Sequence, residues 1–94
     1  MSGSDTLRGG LEEIFWAGFP EGMLPLRAPQ YLAEVTERFL QDQGRSPREL
    51  LGDPVAVNHL AYLMARPSER LRDDFVEQYC TLARYVLRAL AMND

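Results

Sequence analysis

The sequence contains no lysine, since all ten of its basic residues are arginine. Without lysine the chain cannot form a Schiff base, attach pyridoxal phosphate or build a Walker-type phosphate loop. Its one cysteine, Cys80, excludes an internal disulfide and any zinc site made of several thiolates. Its one histidine, His59, excludes metal sites that need two histidines. We therefore expect no cofactor and no metal.

Positive charge is also scarce, because fourteen acidic residues stand against ten basic ones and the formal net charge is -4. Binding to nucleic acid depends on positive charge along the phosphate backbone, so an acidic chain is a poor candidate for it. Residues 1–5 are small, polar and acidic, unlike a secretory signal. No apolar run approaches the ~18 residues of a membrane span. We expect a cytoplasmic protein with no membrane partner, and the charge balance disfavours a nucleic-acid partner.

Strands are not expected, since no segment alternates between apolar and polar residues over a useful length. The composition, 46% hydrophobic and 26% charged, is typical of a globular domain, and 94 residues suffice for one. We predict an all-α fold in a single domain over residues 1–94. It consists of a small bundle of about four helices plus a short helical turn, with the long C-terminal helix as the spine and residues 1–5 as a mobile tail.

Proline and capping residues set most of the predicted helix boundaries. Proline suits the first helical position, where an N–H has no intrahelical partner. Ser46 with Glu49 forms a capping box, and Asp53 and Ser68 are further N-caps. The last helix is expected to be roughly 24 residues and about 36 Å long. The predicted helices cover residues 10–18, with an earlier start at Asp5 or Thr6 left open, then 29–43, 47–51, 54–66 and 69–92.

The last two helices carry more apolar surface than a small bundle needs. Apolar residues, Leu71 and Phe75 among them, cover more than half the circumference of the last helix, whereas a surface helix needs an apolar arc of about 100° or somewhat more. The helix from Pro54 is apolar on nearly all sides. Either it lies at the centre of the bundle or another chain covers part of it. A twofold homodimer through these two helices is the simplest form of the second alternative.

Residues that could carry chemistry have structural explanations. His59 lies on an apolar stripe and Cys80 on the inner side of the last helix, so we interpret the first as a structural histidine and the second as a buried, inert thiol. Adjacent carboxylates such as Glu12 and Glu13 point about 100° apart on a helix and cannot converge on one bond. We therefore expect a protein that is not an enzyme.

Arginines gather on both sides of the helix from Pro54. With the succession of short helices they permit a helix-turn-helix arrangement, in which that helix would enter the DNA major groove. A recognition helix presents polar side chains to the bases, whereas this one is mostly apolar. A DNA-binding regulator is therefore the alternative function. The arginines concerned are Arg45, Arg48, Arg66, Arg70 and Arg72.

Residues 15–26 concentrate aromatic and methionine side chains on a backbone broken by glycine and proline. These residue types are enriched at the centres of protein interfaces. The segment either closes the core or docks a partner. We predict a small non-catalytic interaction protein: an adaptor, assembly factor or inhibitor of a larger complex. The candidate partner-binding residues are Trp16, Phe19, Met23, Leu24, Tyr62 and Met64.

Alanine substitutions separate the two roles of this segment. Phe19 continues the spacing of Leu11 and Phe15, so Phe19→Ala should lower the free energy of unfolding by about 3 kcal/mol or more. Trp16 falls outside that stripe, so Trp16→Ala should leave the melting temperature nearly unchanged and weaken a complex by about 2 kcal/mol or more. Paired melts and binding measurements test this. A stable Phe19→Ala protein beside an unfolded Trp16→Ala protein would reverse the two assignments.

Overall fold

The computed structural model describes residues 3–17 and 27–92, with side chains from residue 8 onward in the first range. All helices in these ranges are α-helices, and they confirm the predicted all-α bundle with a long C-terminal helix. In chain order they are α1 Gly3–Ala17, α2 Pro29–Gln43, α3 Pro47–Leu51, α4 Pro54–Met64 and α5 Asp73–Met92.

The capping signals of the middle helices are confirmed. Proline occupies the start of α2, α3 and α4, and Gly44 ends α2 with a φ of 64°, a left-handed conformation that favours glycine. The Ser46 hydroxyl accepts a hydrogen bond from the Glu49 N–H at 3.3 Å. The Asp53 carboxylate accepts from the N–H groups of Val55 and Ala56 at 3.0 and 3.4 Å. Local side-chain chemistry therefore sets these three starts.

The first helix begins at Gly3, well before the predicted start near Gly10 and two residues before the earlier start left open at Asp5. It includes residues 3–5 of the stretch expected to be a tail, whose mobility stays a prediction. Arg8 Nη2 donates to Glu37 Oε1 of α2 at 3.0 Å, and Glu37 is largely buried. This pairing and the packing of α1 on α2 hold the early turns in a helix despite Gly9 and Gly10.

The last helix is shorter than predicted: it starts at Asp73 instead of directly after Ser68 and contains 20 residues. Residues 67–71 form turns, with the Arg70 N–H donating to the Arg66 carbonyl at 3.1 Å. The Arg66 N–H itself donates to the Glu69 carboxylate at 2.9 Å. Leu71, expected on the buried face of this helix, is consequently 89% exposed.

The core is one cluster of side chains from all five helices. α1 packs on α2, while α5 contacts α1, α3 and α4, which makes it the spine of the bundle. The largest fully buried side chain of the described residues is Tyr79 of α5, which was not predicted to be a core residue. The buried residues of α5 are Tyr79, Leu82, Ala83, Val86, Leu87 and Ala91.

Only one side of α4 is buried. The helix is apolar on nearly all sides, yet it does not lie at the centre of the bundle. Its buried face packs on α5, α2 and α3. The opposite face is open: Val55 is 77% exposed, and Asn58, His59 and Tyr62 are exposed as well. The helix ends at Met64 with Ala65 as its C-cap, two residues before the predicted end.

Glycine substitutions test the early start of α1. A Cβ added at Gly9 or Gly10 would meet no described atom within 4 Å. Because glycine costs helix stability relative to alanine, Gly9→Ala and Gly10→Ala should each raise the free energy of unfolding by about 0.5–1 kcal/mol. Gly44→Ala, at a positive φ, should lower it by about 1 kcal/mol. Urea denaturation checks all three. No gain at Gly9 would mean that the helix starts later.

Candidate functional site

An open groove of about 230 Å³ lies between α2 and α4, and we call it the α2–α4 groove. Its apolar lining comes from both helices and includes Phe39, which is buried, and Val35 and Leu63, which are half-buried. Tyr31, which is exposed, lies along it with three charged side chains. The full lining is Tyr31, Val35, Arg38, Phe39, Asp42, Leu63 and Arg70.

Two arginines that lie outside α4 donate hydrogen bonds to the carbonyl groups at its C-terminal end, beside this groove. The last carbonyls of a helix have no intrahelical donor and favour positive charge nearby. Arg70 Nε donates to the Tyr62 carbonyl at 2.7 Å, and Arg27 Nη1 donates to the Met64 carbonyl at 3.1 Å. The Arg27 guanidinium also lies 3.8 Å from the centre of the Tyr31 ring. Arg27 therefore links the Tyr31 ring of α2 to the C-terminal end of α4.

The turn after α4 is anchored in the core through Glu69. Its Oε1 accepts hydrogen bonds from the Arg66 N–H at 2.9 Å and from the Tyr79 hydroxyl at 3.1 Å. Burial, together with this hydrogen bond and the charge of Glu69, raises the pKa of Tyr79 to about 12. This anchor holds the turn that carries Arg70, and Arg70 is one of the residues that line the groove.

The charges around the groove are two arginines and one aspartate. Arg38 contacts Glu34 at 3.5 Å in an exposed pair, which holds it only weakly. Arg70 uses Nε for the Tyr62 carbonyl, and a guanidinium has further N–H donors. The groove therefore offers an apolar floor with nearby donors for a carboxylate, and Asp42 as an acceptor for a cation.

The structure places three of the six predicted partner-binding residues, one on α1 and two on α4. Trp16 of α1 is 63% exposed and Tyr62 of α4 is exposed. Because α1 packs on α2 and α5 rather than on α4, these two aromatic residues are not brought into one site. Met64 is fully buried, so its side chain does not reach a partner in this fold. Phe19, Met23 and Leu24 lie outside the described residues.

The single histidine and the single cysteine of the chain have different neighbours. His59 is exposed rather than enclosed by apolar neighbours, and its ring packs edge-on against Phe39 of α2, with centroids 5.7 Å apart. Cys80 of α5 is half-buried, and its thiol donates to Asn58 Oδ1 at 3.6 Å. Burial raises the pKa of the Cys80 thiol, which disfavours the reactive thiolate. This histidine and this cysteine do not form a nucleophilic pair.

Three of the five clustered arginines have partners within the chain. Arg45 contacts the Asp53 carboxylate at 3.0 Å, and this hydrogen bond, with that from the Ala56 N–H, lowers the pKa of Asp53. Arg70 caps α4, and Arg72 contacts Asp74 at 3.2 Å and lies 4.8 Å from the centre of the Phe75 ring. The cluster therefore serves the turns of the bundle.

Within the described ranges, no group of three or more His, Cys, Asp or Glu residues is arranged to hold a metal ion. Among the same residues, no helix has the length and apolar character needed to cross a membrane. No protein-family model matches the sequence, and no curated protein and no solved structure matches it.

Most of the groove was not predicted from the sequence. Tyr31 and Val35 were not among the candidate partner-binding residues. Nothing in the local sequence of Arg27 shows that its guanidinium meets a carbonyl thirty-seven positions away. The one sequence feature that pointed to the groove was Tyr31. It is an aromatic residue in the first turn of α2, and the other residues on the exposed face of this helix are polar.

The pKa of Tyr79 predicts a pH dependence of stability. An ordinary tyrosine ionises near pH 10.0, so between pH 10.0 and about 12 the unfolded chain loses this proton while the folded protein keeps it. The free energy of unfolding should therefore fall as the pH rises through this range. Tyr79→Phe should be about 1–2 kcal/mol less stable below pH 10.0 and should lack this component. Urea denaturation across the range measures both. A stability gap that does not narrow with pH would contradict the prediction.

Proposed function

We propose that the protein acts by binding another protein through the α2–α4 groove, as a non-catalytic adaptor, assembly factor or inhibitor. The observation that carries this proposal is an apolar groove with an exposed aromatic residue and arginines, built on two helices that Arg27 ties together. Tyrosine and arginine are the residue types enriched at binding hot spots.

The size of the groove favours a protein partner over a small molecule. Its volume, about 230 Å³, lies below the roughly 300–1,000 Å³ of most ligand pockets. It is also open along its length, so it would leave much of a small ligand in water. A groove of this kind suits one large apolar side chain projecting from a helix or an extended segment of another protein.

The charges define the partner segment further. Arg38 and Arg70 flank the apolar floor formed by Val35 and Leu63, and Asp42 supplies the single negative charge of the groove. The complementary segment is amphipathic, with an apolar anchor for the floor and a neighbouring carboxylate for the arginines. Charges at a rim set specificity and the rate of association more than affinity, so the apolar anchor supplies most of the binding energy.

The test is affinity capture from the native source with matched variants. Tyr31→Ala removes the exposed aromatic residue and Arg38→Glu reverses a rim charge, while Arg48→Glu makes the same reversal on exposed α3, outside the groove. A specific partner should be retained by the wild type and Arg48→Glu and lost with the two groove variants. Once the partner is purified, Tyr31→Ala should weaken binding by about 2 kcal/mol, which is roughly thirtyfold.

A folding control makes the result decisive. Each variant must keep the helical circular dichroism and the melting behaviour of the wild type, which separates lost binding from lost folding. Equal recovery of every captured protein by the groove variants and Arg48→Glu would overturn the proposal. Retention on heparin resin with steep release by salt would favour the alternative of a DNA-binding regulator instead.

A further inference from the structure

The exposed face of α5 carries a separated charge pattern. Asp74, Glu77, Thr81, Arg84 and Arg88 follow one another at alternating spacings of three and four residues, so they lie along one face of the helix, which we call the α5 stripe. Its four charged members are exposed and Thr81 is half-buried. The N-terminal half of the stripe is acidic and the C-terminal half is basic.

The basic half of the stripe is unfavourable within one chain, whereas Asp74 of the acidic half already contacts Arg72 at 3.2 Å. Arg84 and Arg88 are neighbours at a spacing of four residues, and like charges at that spacing destabilise a helix. The helix dipole accounts for Asp73 and Asp74 in the first turn, but its effect falls off within one turn. Glu77, Arg84 and Arg88 lie farther inside the helix, so the dipole does not explain them.

A second copy of the stripe, lying antiparallel, complements the first. Asp74 and Arg88 are the same number of residues from Thr81, on opposite sides of it. Glu77 and Arg84 lie between them, at nearly equal spacings from Thr81. A twofold axis near Thr81 therefore places Asp74 opposite Arg88 of the second copy and Glu77 opposite Arg84 of the second copy. Both pairs form twice, as a twofold interface requires.

The shape and the ends of α5 agree with this arrangement. A shallow hollow of about 160 Å³ lies among Thr81, Arg84, Tyr85 and Arg88, next to the proposed axis. Leu71, 89% exposed, precedes the helix, and Met92, 80% exposed, is its last residue. Antiparallel pairing brings opposite ends together, so exposed apolar side chains meet at both edges of the interface.

We infer that the α5 stripe binds a second copy of this chain, forming an antiparallel, twofold dimer whose axis passes near Thr81. The interface differs from the apolar one expected from the sequence, because the apolar faces of α4 and α5 pack on each other within the chain. A nucleic acid or an anionic membrane would meet the acidic half of the same stripe and be repelled. The interface is polar and narrow, so the association is weak and sensitive to salt. This inference does not rest on the proposed function of the groove.

Charge reversal tests the pairing in purified protein. Glu77→Arg places arginine opposite arginine twice in the dimer, and Arg84→Glu places acid opposite acid twice. Each should weaken the dimer at least about tenfold, because like charges facing each other are costly. The double variant Glu77→Arg with Arg84→Glu restores both pairs and should return the dissociation constant to within about threefold of wild type. The matched control is the swap Glu34→Arg with Arg38→Glu on α2, which should have no effect. Sedimentation equilibrium at low and high salt gives all the constants.

Cross-linking tests the orientation independently. In a Cys80→Ser background, Thr81→Cys should be joined to its own copy by a short bismaleimide. Asp74→Cys should be joined to Arg88→Cys when the two variants are mixed, but not to itself. These cysteine variants test the antiparallel pairing even where a charge reversal disturbs folding.

The expected result is a wild-type dimer that dissociates with salt, is lost in the single reversals and returns in the double swap. A wild-type monomer at high micromolar concentration in low salt would overturn the inference. So would a dimer that the α5 variants leave intact, or cross-linking of Asp74→Cys to itself in preference to Arg88→Cys. Loss of self-association leaves the capture experiment on the groove unaffected, so the two proposals fail separately.

Discussion

The packing of the bundle depends on which donors bond to the carbonyl groups at the C-terminal end of α4. Pro67 prevents the helix from continuing, and a helix end leaves carbonyl groups that need donors. Arg27, which precedes α2, donates to the Met64 carbonyl, and Arg70, which precedes α5, donates to the Tyr62 carbonyl. Because these donors come from opposite directions along the chain, the end of α4 positions both neighbouring helices. Glu69 joins the same turn to the core through Tyr79.

The α2–α4 groove is a consequence of this arrangement. Arg27 bonds to the end of α4 and lies over the Tyr31 ring, so it links the start of α2 to the end of α4. The space between them keeps apolar side chains from both helices accessible to a partner. A groove built on helices needs little ordering when a partner binds, which favours affinity for its size.

The packing of α4 against α5 determines which surfaces remain for partners. The sequence left open whether the bundle or another chain covers the apolar area of these helices, and their buried faces pack on each other. Two exposed surfaces differ in chemistry: an aromatic and mixed-charge groove beside α4, and a segregated line of charges on α5. The first suits a foreign apolar anchor, and the second suits a copy of itself. Different residues line the two surfaces.

The sequence by itself determined the helical class and the starts of α2, α3 and α4, because Pro29, Ser46 and Asp53 act within a turn of their own positions. It did not determine the start of α1 or the start of α5, where Arg8 pairs with Glu37 and Glu69 bonds to Tyr79 across the fold. It also left the exposed side of α4 and the groove undecided. Periodicity reports how apolar a helix face is, whereas only the tertiary structure decides which apolar faces meet, because burial depends on partners distant in sequence.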